Sequence, residues 1–516
     1  MKTTTKYKIP VPFFGAIIKR ALKIGGRVQS LRTDTENLQE RTLRRLLRKA
    51  SNTAFGQHYE FKKILRSNDI VAEFQKRVPI HDYNKMHDEW WHRCLKSEEN
   101  VCWPGKVPYF ALSSGTSGAP SKFLPETPDM LRSMRRASLR MFFTLAKYNL
   151  KNDFFDRDIL LIGSSSSIED KGDYKIGDLS GINSNHPPFW LKQQYKPGIE
   201  VQKIKDWHER IEKIVELAPN WDVAVVVGLP SWVQLMLEKV VEHHKLKHIH
   251  EIWPNFQIFV NSGVALAPYL NSFARLTDKP MIYMDSYLAS EGFIAFQARP
   301  SEINSMALVL NNGIFYEFVP FNDENFGADG LPKPNASVLN IQQVKKDTDY
   351  ALLLTTNAGA WRYLLGDTVR FTDVERAEIV ISGRTTHFLS ISGEHLSVNN
   401  MNQAIANAQK ELNISIKEFT VAAIEKGRYF AHRWFVGCDD KNVDEALLLK
   451  TIDKHLCVIN DDYATERNAV LDIEMRVIPS HCFYDYIRHN GKEAQAKVPR
   501  VTQTHQLEKW EAFLEK

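Results

Sequence analysis

Ser113-Ser114-Gly115-Thr116-Ser117-Gly118-Ala119-Pro120-Ser121-Lys122 follows the apolar run of residues 107–112 and predicts a tight loop. Its glycines and hydroxyl residues let the backbone form a concave row of N–H donors, and the lysine adds a positive charge for an anionic oxygen. Such a loop suits a polyphosphate, although the same composition is also typical of a flexible turn. The loop is not a Walker A motif, because Pro120 and Ser121 separate Lys122 from the glycine.

A second motif, Tyr287-Leu288-Ala289-Ser290-Glu291-Gly292, comes just after the predicted apolar strand Met281–Met284. A carboxylate at the end of a strand is well placed to hold Mg²⁺, which neutralises phosphate oxygens during transfer. Glu291 is therefore a candidate metal ligand. The alternative is a glutamate that caps a helix or forms an ordinary salt bridge.

The third motif is Tyr363-Leu364-Leu365-Gly366-Asp367-Thr368-Val369-Arg370-Phe371, which places Asp367 in a predicted turn between two apolar runs. Gly-Asp is common in plain hairpin turns. An aspartate carboxylate is also a good bidentate acceptor for the vicinal hydroxyls of a ribose. Both interpretations stay open from this motif alone.

The chain around these motifs alternates between β-branched runs and longer amphipathic segments, which is typical of an α/β protein. From about residue 304 short strands and turns predict an antiparallel, barrel-like sheet appended to the α/β core. Ser382-Gly383-Arg384-Thr385 resembles a joint between a strand and a new unit that begins with a helix. We therefore expect a large N-terminal domain, residues 1–383, and a small mobile α+β domain, residues 384–516.

The three motifs, in this order and with Arg384 at the joint, resemble the signature of the acyl-CoA synthetase, adenylation-domain and luciferase superfamily. Within that superfamily the chain is most similar to the Gretchen Hagen 3 family of acyl-acid amido synthetases. Residues 50–61, 78–83, 177–182 and 497–500 also resemble that family. The Ser-Ser-Gly-Thr-Ser start is intact, but Leu364 stands where the family has an arginine.

The resemblance implies a role for each matching position. Ser113, Ser114, Gly115, Thr116, Ser117, Gly118 and Lys122 would hold the phosphates of ATP. Glu291 would hold Mg²⁺ and Asp367 would bind the ribose. Ser262, Gly263 and Tyr287 would flank the adenine, while Arg384 and Lys497 would act from the hinge and the mobile domain. Arg384 as a surface turn residue and Lys497 as a solvated lysine stay open as alternatives.

Bulk composition limits the other classes of function. The chain has 516 residues, a formal net charge of +5 and 43% hydrophobic residues, which suffices for a large core but gives no concentrated basic stripe for nucleic acid. Its apolar runs fall short of a membrane span, so we expect no stable membrane association. Five cysteines without a C-x-x-C pair favour reduced thiols in a cytoplasmic protein.

Histidines 243, 244, 248 and 250 form a cluster in the sequence, with His244 and His248 at the i, i+4 spacing that can hold a metal on a helix. The sequence shows no third ligand arranged with them, so we expect a helix end at the surface. A Ser-His-Asp hydrolase is disfavoured because the chain has no Gly-x-Ser-x-Gly elbow.

These observations predict a ligase that uses ATP and Mg²⁺ to activate a small carboxylic acid as its acyl-AMP, with release of pyrophosphate. The resemblance implies that the acyl group then passes to an amine, in particular an amino acid. Two rival hypotheses are an acyl-CoA ligase with the same first step and a nucleotide-binding protein of the same fold without turnover.

Overall fold

The structure is a computed structural model that describes residues 35–113, 122–148, 150–163, 168–184, 194–204, 206–263, 266, 269–300, 305–327, 330–385, 388–389, 396–426, 429–440, 443–460, 463–464, 467, 471–490, 498–502 and 504–515. The predicted loop residues 114–121 and Lys497 lie outside this described part of the chain.

Short helices cover one end of the large domain. They are α1 (Thr35–Ala50), α2 (Ala54–His58), α3 (Phe61–Ile64), α4 (Ile70–Arg77), α5 (Tyr83–Met86) and α6 (His92–Leu95). On α1 the apolar residues at helical spacing are buried, and the Gln39 side chain donates to the Ile314 carbonyl and accepts from the Tyr316 amide. The helix is thus fixed to a strand edge in the core of the domain.

A mixed eleven-stranded sheet forms the centre of the large domain, in the order β12-β13-β14-β15-β11-β10-β9-β8-β7-β3-β6. Its parallel half consists of β3 (Asp158–Ile162), β6 (Tyr195–Lys196), β7 (Val223–Gly228), β8 (Ile258–Ser262) and β9 (Ile282–Ala289). The predicted apolar runs form β3, β7, β8 and the start of β9, and β7 is a continuous apolar segment because both of its faces are covered.

The other half of the sheet is antiparallel, as the sequence predicts after residue 304. It contains β10 (Gly292–Phe296), β11 (Met306–Leu308), β12 (Ile314–Pro320), β13 (Asp349–Thr356), β14 (Tyr363–Asp373) and β15 (Glu378–Arg384). Among the described residues these strands extend the same sheet through the β9–β10 hairpin, and β12 forms its outer edge. The appended barrel-like sheet is therefore a continuation of the α/β sheet.

Helices cover the two faces of the parallel strands. Helices α9 (Ile199–Gln202), α10 (Trp207–Leu217), α11 (Pro230–His243) and α12 (Leu270–Leu276) lie on one face, where Phe259 of β8 is buried among them. On the other face, Ile258 and Val260 pack near the end of α7 (Pro128–Thr144). This alternation follows from the period of two along a strand.

A second sheet of four strands, in the order β2-β1-β5-β4, carries the predicted phosphate loop. The hairpin of β1 (Tyr109–Ser113) and β2 (Lys122–Glu126) pairs Ser113 with Lys122, so residues 114–121 connect the two strands at this end. The remaining strands are β4 (Glu169–Asp170) and β5 (Lys175–Gly177), and helix α8 (Leu179–Ser184) follows.

The small C-terminal domain has its own core. A two-stranded ribbon, β16 (Phe388–Leu389) and β17 (Leu396–Ser397), leads to α13 (Val398–Leu412), and the four-stranded sheet β20-β19-β18-β21 follows. That sheet consists of β18 (Ile416–Lys426), β19 (Tyr429–Cys438), β20 (Leu471–Ile478) and β21 (Val501–Thr502), with helices α14 (Glu445–Ile459), α15 (His481–His489) and α16 (Thr504–Leu514). None of the helices in the described ranges has the length and apolarity of a membrane span.

Candidate active site

Glu291 lies where the parallel and antiparallel halves of the sheet meet. The β9–β10 hairpin pairs Ala289 with Gly292, so Ser290 and Glu291 form a two-residue loop. Burial, chiefly, and the charge of Glu291 raise the pKa of the hydroxyl of Tyr363, the first residue of β14. The carboxylate is thus held at the end of a strand, as the sequence predicts.

The charge state of Glu291 depends on its surroundings. Burial, the main cause, raises the pKa of its carboxyl group to about 7, and the negative charge of Asp367 acts in the same direction. The positive charges of Lys122 and Arg384 lower this pKa, but by less. A carboxyl group with such a pKa changes its charge near neutral pH and gains from a nearby cation.

Asp367 lies inside strand β14 and not in a turn, which corrects the prediction from the sequence. Leu365, Gly366 and Asp367 oppose a single residue of β13, because the pairing shifts between Ala351 and Leu353. Gly366 has a φ of 86°, in the left-handed region that glycine tolerates best. The Gly-Asp pair therefore marks an irregular bulge, which re-aims the Asp367 side chain.

Asp367 has a donor on each carboxylate oxygen. The Tyr287 hydroxyl donates to its Oδ2 atom, and Arg384 Nε lies 2.8 Å from its Oδ1 atom. Asp367 and Arg384 are also a cross-strand pair of β14 and β15. Arg384 is thus the last residue of a strand, and its side chain contacts the same acid that the resemblance assigns to the ribose.

Lys122 is the first residue of β2 and stands at the mouth of the phosphate loop. Its Nζ atom lies 5.3 Å from the centre of the Tyr83 ring. The Tyr83 hydroxyl accepts a hydrogen bond of 2.9 Å from the Phe123 amide, which fixes the start of β2. Lys122 and Glu291 are close enough for their charges to interact, so the first and second motifs meet in the fold.

Glu126, at the other end of β2, is a buried acid that sequence reasoning did not single out. Its side chain is 0% exposed, and neither carboxyl oxygen has a hydrogen-bond partner among the described residues. Burial, chiefly, and the charge of Glu291 raise the pKa of Glu126 well above its usual value. Burial therefore favours the protonated form of Glu126, which adds no second negative charge near Glu291.

The predicted adenine-flanking residues lie at the carboxyl edge of the parallel strands. Ser262 ends β8 and pairs with Ser286 of β9, one residue before Tyr287. Gly263 follows with a φ of 89° and turns the chain out of the sheet. Crevices at this edge are where open α/β sheets bind their ligands.

The described structure thus brings Lys122, Glu291, Tyr287, Asp367 and Arg384 together. The backbone of Ser113 is placed at the loop entrance, whereas Ser114, Gly115, Thr116, Ser117, Gly118 and Lys497 lie outside the described residues. Sequence reasoning missed Tyr363 as a partner of Glu291, although it opens the third motif.

Family models match the chain in three consecutive parts. They are described as the GH3 family N-terminal domain over residues 26–218, the GH3 family central domain over residues 307–384 and the GH3 family C-terminal domain over residues 399–506. The chain belongs to the GH3 family. The resemblance that the motifs indicated is therefore confirmed.

Other GH3 proteins match over different lengths. The chain is 22% identical to a jasmonoyl-L-amino acid synthetase, JAR6, of Nicotiana attenuata over 557 aligned residues that cover 93% of each chain. It is 25% identical to an indole-3-acetic acid-amido synthetase, GH3.2, of Arabidopsis thaliana over 208 residues, 38% of this chain and 37% of the relative.

Solved structures confirm the predicted fold. The GH3.15 acyl acid amido synthetase matches with a TM-score of 0.77 and 15% identity over 96% of each chain. A 2-hydroxyisobutyryl-CoA ligase in complex with 2-HIB-AMP matches with a TM-score of 0.59 and 13% identity over 92% of this chain and 91% of the ligase. A large N-terminal α/β domain with a smaller C-terminal domain is thus the architecture of this GH3 chain.

Proposed function

We propose that this GH3 protein is an ATP-dependent amido synthetase that joins a small carboxylic acid to an amine, in particular an amino acid. The observation that carries the proposal is the meeting of Lys122, Glu291 and the Tyr287–Asp367–Arg384 group at one edge of the sheet. The amido synthetase names of GH3 relatives along the whole chain support the same reaction. The hinge at residues 382–385, the mobile lid and a cytoplasmic location stay predictions from the sequence.

In the first step a carboxylate oxygen of the acid attacks the α-phosphorus of ATP. The bond from that phosphorus to the oxygen bridging to the β-phosphate breaks, so acyl-AMP forms and pyrophosphate leaves. Lys122 and the amides of residues 113–118 would neutralise the phosphate oxygens. Asp367, with Tyr287 beside it, would hold the ribose, so the chain contributes mainly alignment and charge stabilisation.

The side chains present suit a divalent metal with oxygen ligands. Glu291 offers a carboxylate whose pKa burial raises to about 7, so a bound cation would favour its charged form. It would hold Mg²⁺, the ion that prefers such oxygen ligands and that neutralises phosphate charge when bound. The hydroxyl of Tyr363 lies close enough to interact with the charge of this carboxylate.

In the second step the neutral amine attacks the acyl carbon of the mixed anhydride. The bond from that carbon to the AMP oxygen breaks, AMP leaves, and the amine nitrogen loses a proton to give an amide. The small domain, predicted to begin at Arg384, would swing about residues 382–385 between the steps to admit the amine. Arg384 and Lys497 would act at this stage from the joint and the lid.

An exchange assay with a library of carboxylic acids tests the first step. Incorporation of labelled pyrophosphate into ATP is expected only with Mg²⁺ and a suitable acid. Cleavage of ATP to ADP, or no exchange with any acid, would overturn adenylation. Once an acid is found, mass spectrometry after adding mixed amino acids or coenzyme A identifies the acceptor. A thioester without any amide would replace the amido synthetase by an acyl-CoA ligase.

A further inference from the structure

A group of histidines and an aspartate lies at the edge of the sheet opposite the candidate active site. His248 and His250 belong to the segment between α11 and β8, and Asp278 belongs to the segment between α12 and β9. Their nearest ligand atoms all lie within 4.8 Å of one another. These segments precede strands whose carboxyl ends carry Ser262 and Tyr287, so the group is separate from that site by the length of the strands.

The Asp278 carboxylate stands between the two imidazoles. Its Oδ1 atom lies 2.6 Å from His250 Nδ1, and its Oδ2 atom lies 3.4 Å from His248 Nε2. Four ligands at about 2.0–2.1 Å from a tetrahedral ion are roughly 3.3 Å apart, so a small adjustment of these side chains would surround one ion. Two imidazoles and one carboxylate form a donor set that suits Zn²⁺.

Hydrogen bonding fixes the tautomer of His250 in favour of a metal ligand. Its Nε2 atom is 2.9 Å from the Phe256 carbonyl, so Nε2 carries the hydrogen and donates it. The Nδ1 lone pair then faces Asp278, whose amide donates to it over 3.1 Å while its carboxylate oxygen approaches the same nitrogen. A metal ion bound here would take this lone pair in place of the Asp278 amide and would bring Asp278 Oδ1 into its coordination sphere.

Burial differs between the two histidines. The His250 side chain is 1% exposed. His248 is less buried, and its Nδ1 atom has no hydrogen-bond partner among the described residues. A histidine that binds a metal through one ring nitrogen usually donates a hydrogen bond from the other, as His250 does to the Phe256 carbonyl. His248 has no such bond among the described residues.

We propose that His248, His250 and Asp278 bind a divalent transition metal, with Zn²⁺ as the best match to the ligands. The fourth position would be filled by water or by Glu251, whose Oε1 atom lies 3.9 Å from His248 Nε2. The ion would join the segments that lead into β8 and β9 and so stabilise the parallel sheet. This role is structural and is independent of the proposed ligase reaction.

The sequence showed part of this site. His244 and His248 were expected on one helix, but α11 ends at His243, and His244 Nε2 lies 2.8 Å from the Val215 carbonyl. The third ligand that the sequence did not reveal is Asp278, which is brought in from a different segment by the parallel pairing of β8 with β9.

Metal titration of the untagged full-length chain, freed of metal with EDTA, tests the site. Co²⁺ is the probe because four-coordinate Co²⁺ absorbs visible light, and Zn²⁺ is then added to displace it. We expect one equivalent of Co²⁺ per chain, displacement by Zn²⁺, and a higher melting temperature with Zn²⁺. No visible band and no stabilisation by Zn²⁺ would overturn the proposal.

Variants identify the ligands without disturbing the core. His248→Gln and Asp278→Asn change partly exposed residues and should weaken Co²⁺ binding on the order of 100-fold, at the upper end of the loss seen when a metal site is disturbed. His243→Gln, an exposed histidine on α11, is the matched control and should bind as the unmodified chain does. The assignment would be overturned if His248→Gln and Asp278→Asn bound Co²⁺ as tightly as the His243→Gln control, with circular dichroism showing that all three variants are folded.

Discussion

Arg384 and Asp367 are cross-strand neighbours, and Arg384 Nε lies 2.8 Å from Asp367 Oδ1. The Tyr287 hydroxyl donates to the other oxygen of the same carboxylate. Both acceptor oxygens proposed for the ribose therefore have protein donors before a nucleotide binds. Binding of ATP would exchange one or both of these donors for ribose hydroxyls, which releases Arg384 for the anionic groups of the substrate.

Asp367→Asn tests this exchange. The variant loses the charge that strengthens the hydrogen bonds to the ribose, so we expect the KM for ATP to rise about 10–100-fold, the scale of one charge-assisted hydrogen bond. The matched control is Asp373→Asn on the same strand, where the side chain pairs with Arg376. An unchanged KM for ATP in Asp367→Asn would show that the ribose binds elsewhere.

Lys122→Ala removes the positive charge at the entrance of the phosphate loop. We expect the rate of pyrophosphate exchange to fall by about 10²–10³-fold, the scale of one preorganised charge contact in a transition state. Lys175→Ala is the control, because Lys175 lies on β5 of the same sheet and pairs with Asp170 at the surface. Equal rates in the two variants would mean that Lys122 does not contact the phosphates.

The pKa of about 7 at Glu291 predicts the pH dependence of adenylation. Below pH 7 the carboxyl group is protonated and cannot hold Mg²⁺, so kcat/KM at limiting Mg²⁺ should rise about tenfold per pH unit and level off above pH 7. Glu291→Gln should be slow and lose this inflection. Persistence of the same inflection in Glu291→Gln would assign it to another group.

Local sequence sufficed to predict much of the fold and the site. The apolar pattern of the sequence predicts strands over residues 222–228 and 257–260 and a helix over residues 230–243, and β7, β8 and the helix Pro230–His243 agree with these segments within about two residues. The motif residues Lys122, Glu291 and Asp367 were singled out because each belongs to a motif of distinctive composition that follows or adjoins an apolar run.

Features that depend on distant pairing could not be predicted in the same way. A hairpin turn and a bulge both use Gly-Asp, so only the partner strand β13 shows that Asp367 lies in a bulge. Glu126 and Tyr363 approach Glu291 through pairings between segments far apart in the sequence. The barrel-like sheet was predicted as an addition to the α/β core, because a list of short strands does not reveal that they continue the same sheet.

Glu126→Gln should become more stable relative to the unmodified chain as the pH rises. In the unfolded chain the carboxyl group loses its proton above its usual pKa, whereas in the folded chain burial raises the pKa and keeps the proton on. The unfolded state therefore gains about 1.4 kcal/mol for each pH unit between the two pKa values, and glutamine removes this penalty. We expect the melting temperature of Glu126→Gln, relative to the unmodified chain, to be higher at pH 8 than at pH 5. A constant difference across this range would show that Glu126 ionises normally in the folded protein.

Polar contacts hold the small domain against the large one in the orientation seen here. The Tyr269 hydroxyl lies 3.3 Å from Glu418 Oε1 and 3.3 Å from Arg500 Nη2, and Arg500 Nη1 lies 2.6 Å from Glu418 Oε2. Tyr269 belongs to the large domain, whereas Glu418 and Arg500 belong to the small one. The hydroxyl group therefore stabilises one arrangement of the two domains without being part of the proposed active site.

Tyr269→Phe should shift the balance between the two half-reactions. If the lid must take different orientations for adenylation and for transfer, weakening one orientation slows the step that uses it and favours the other step. We expect single-turnover rates of acyl-AMP formation and of amide formation to move in opposite directions, by several-fold for the loss of the two hydrogen bonds of this hydroxyl group. Tyr283→Phe is the control, since Tyr283 packs in the same core and stays within the large domain. Parallel changes in both rates, or none, would argue that the small domain keeps a single orientation through the reaction.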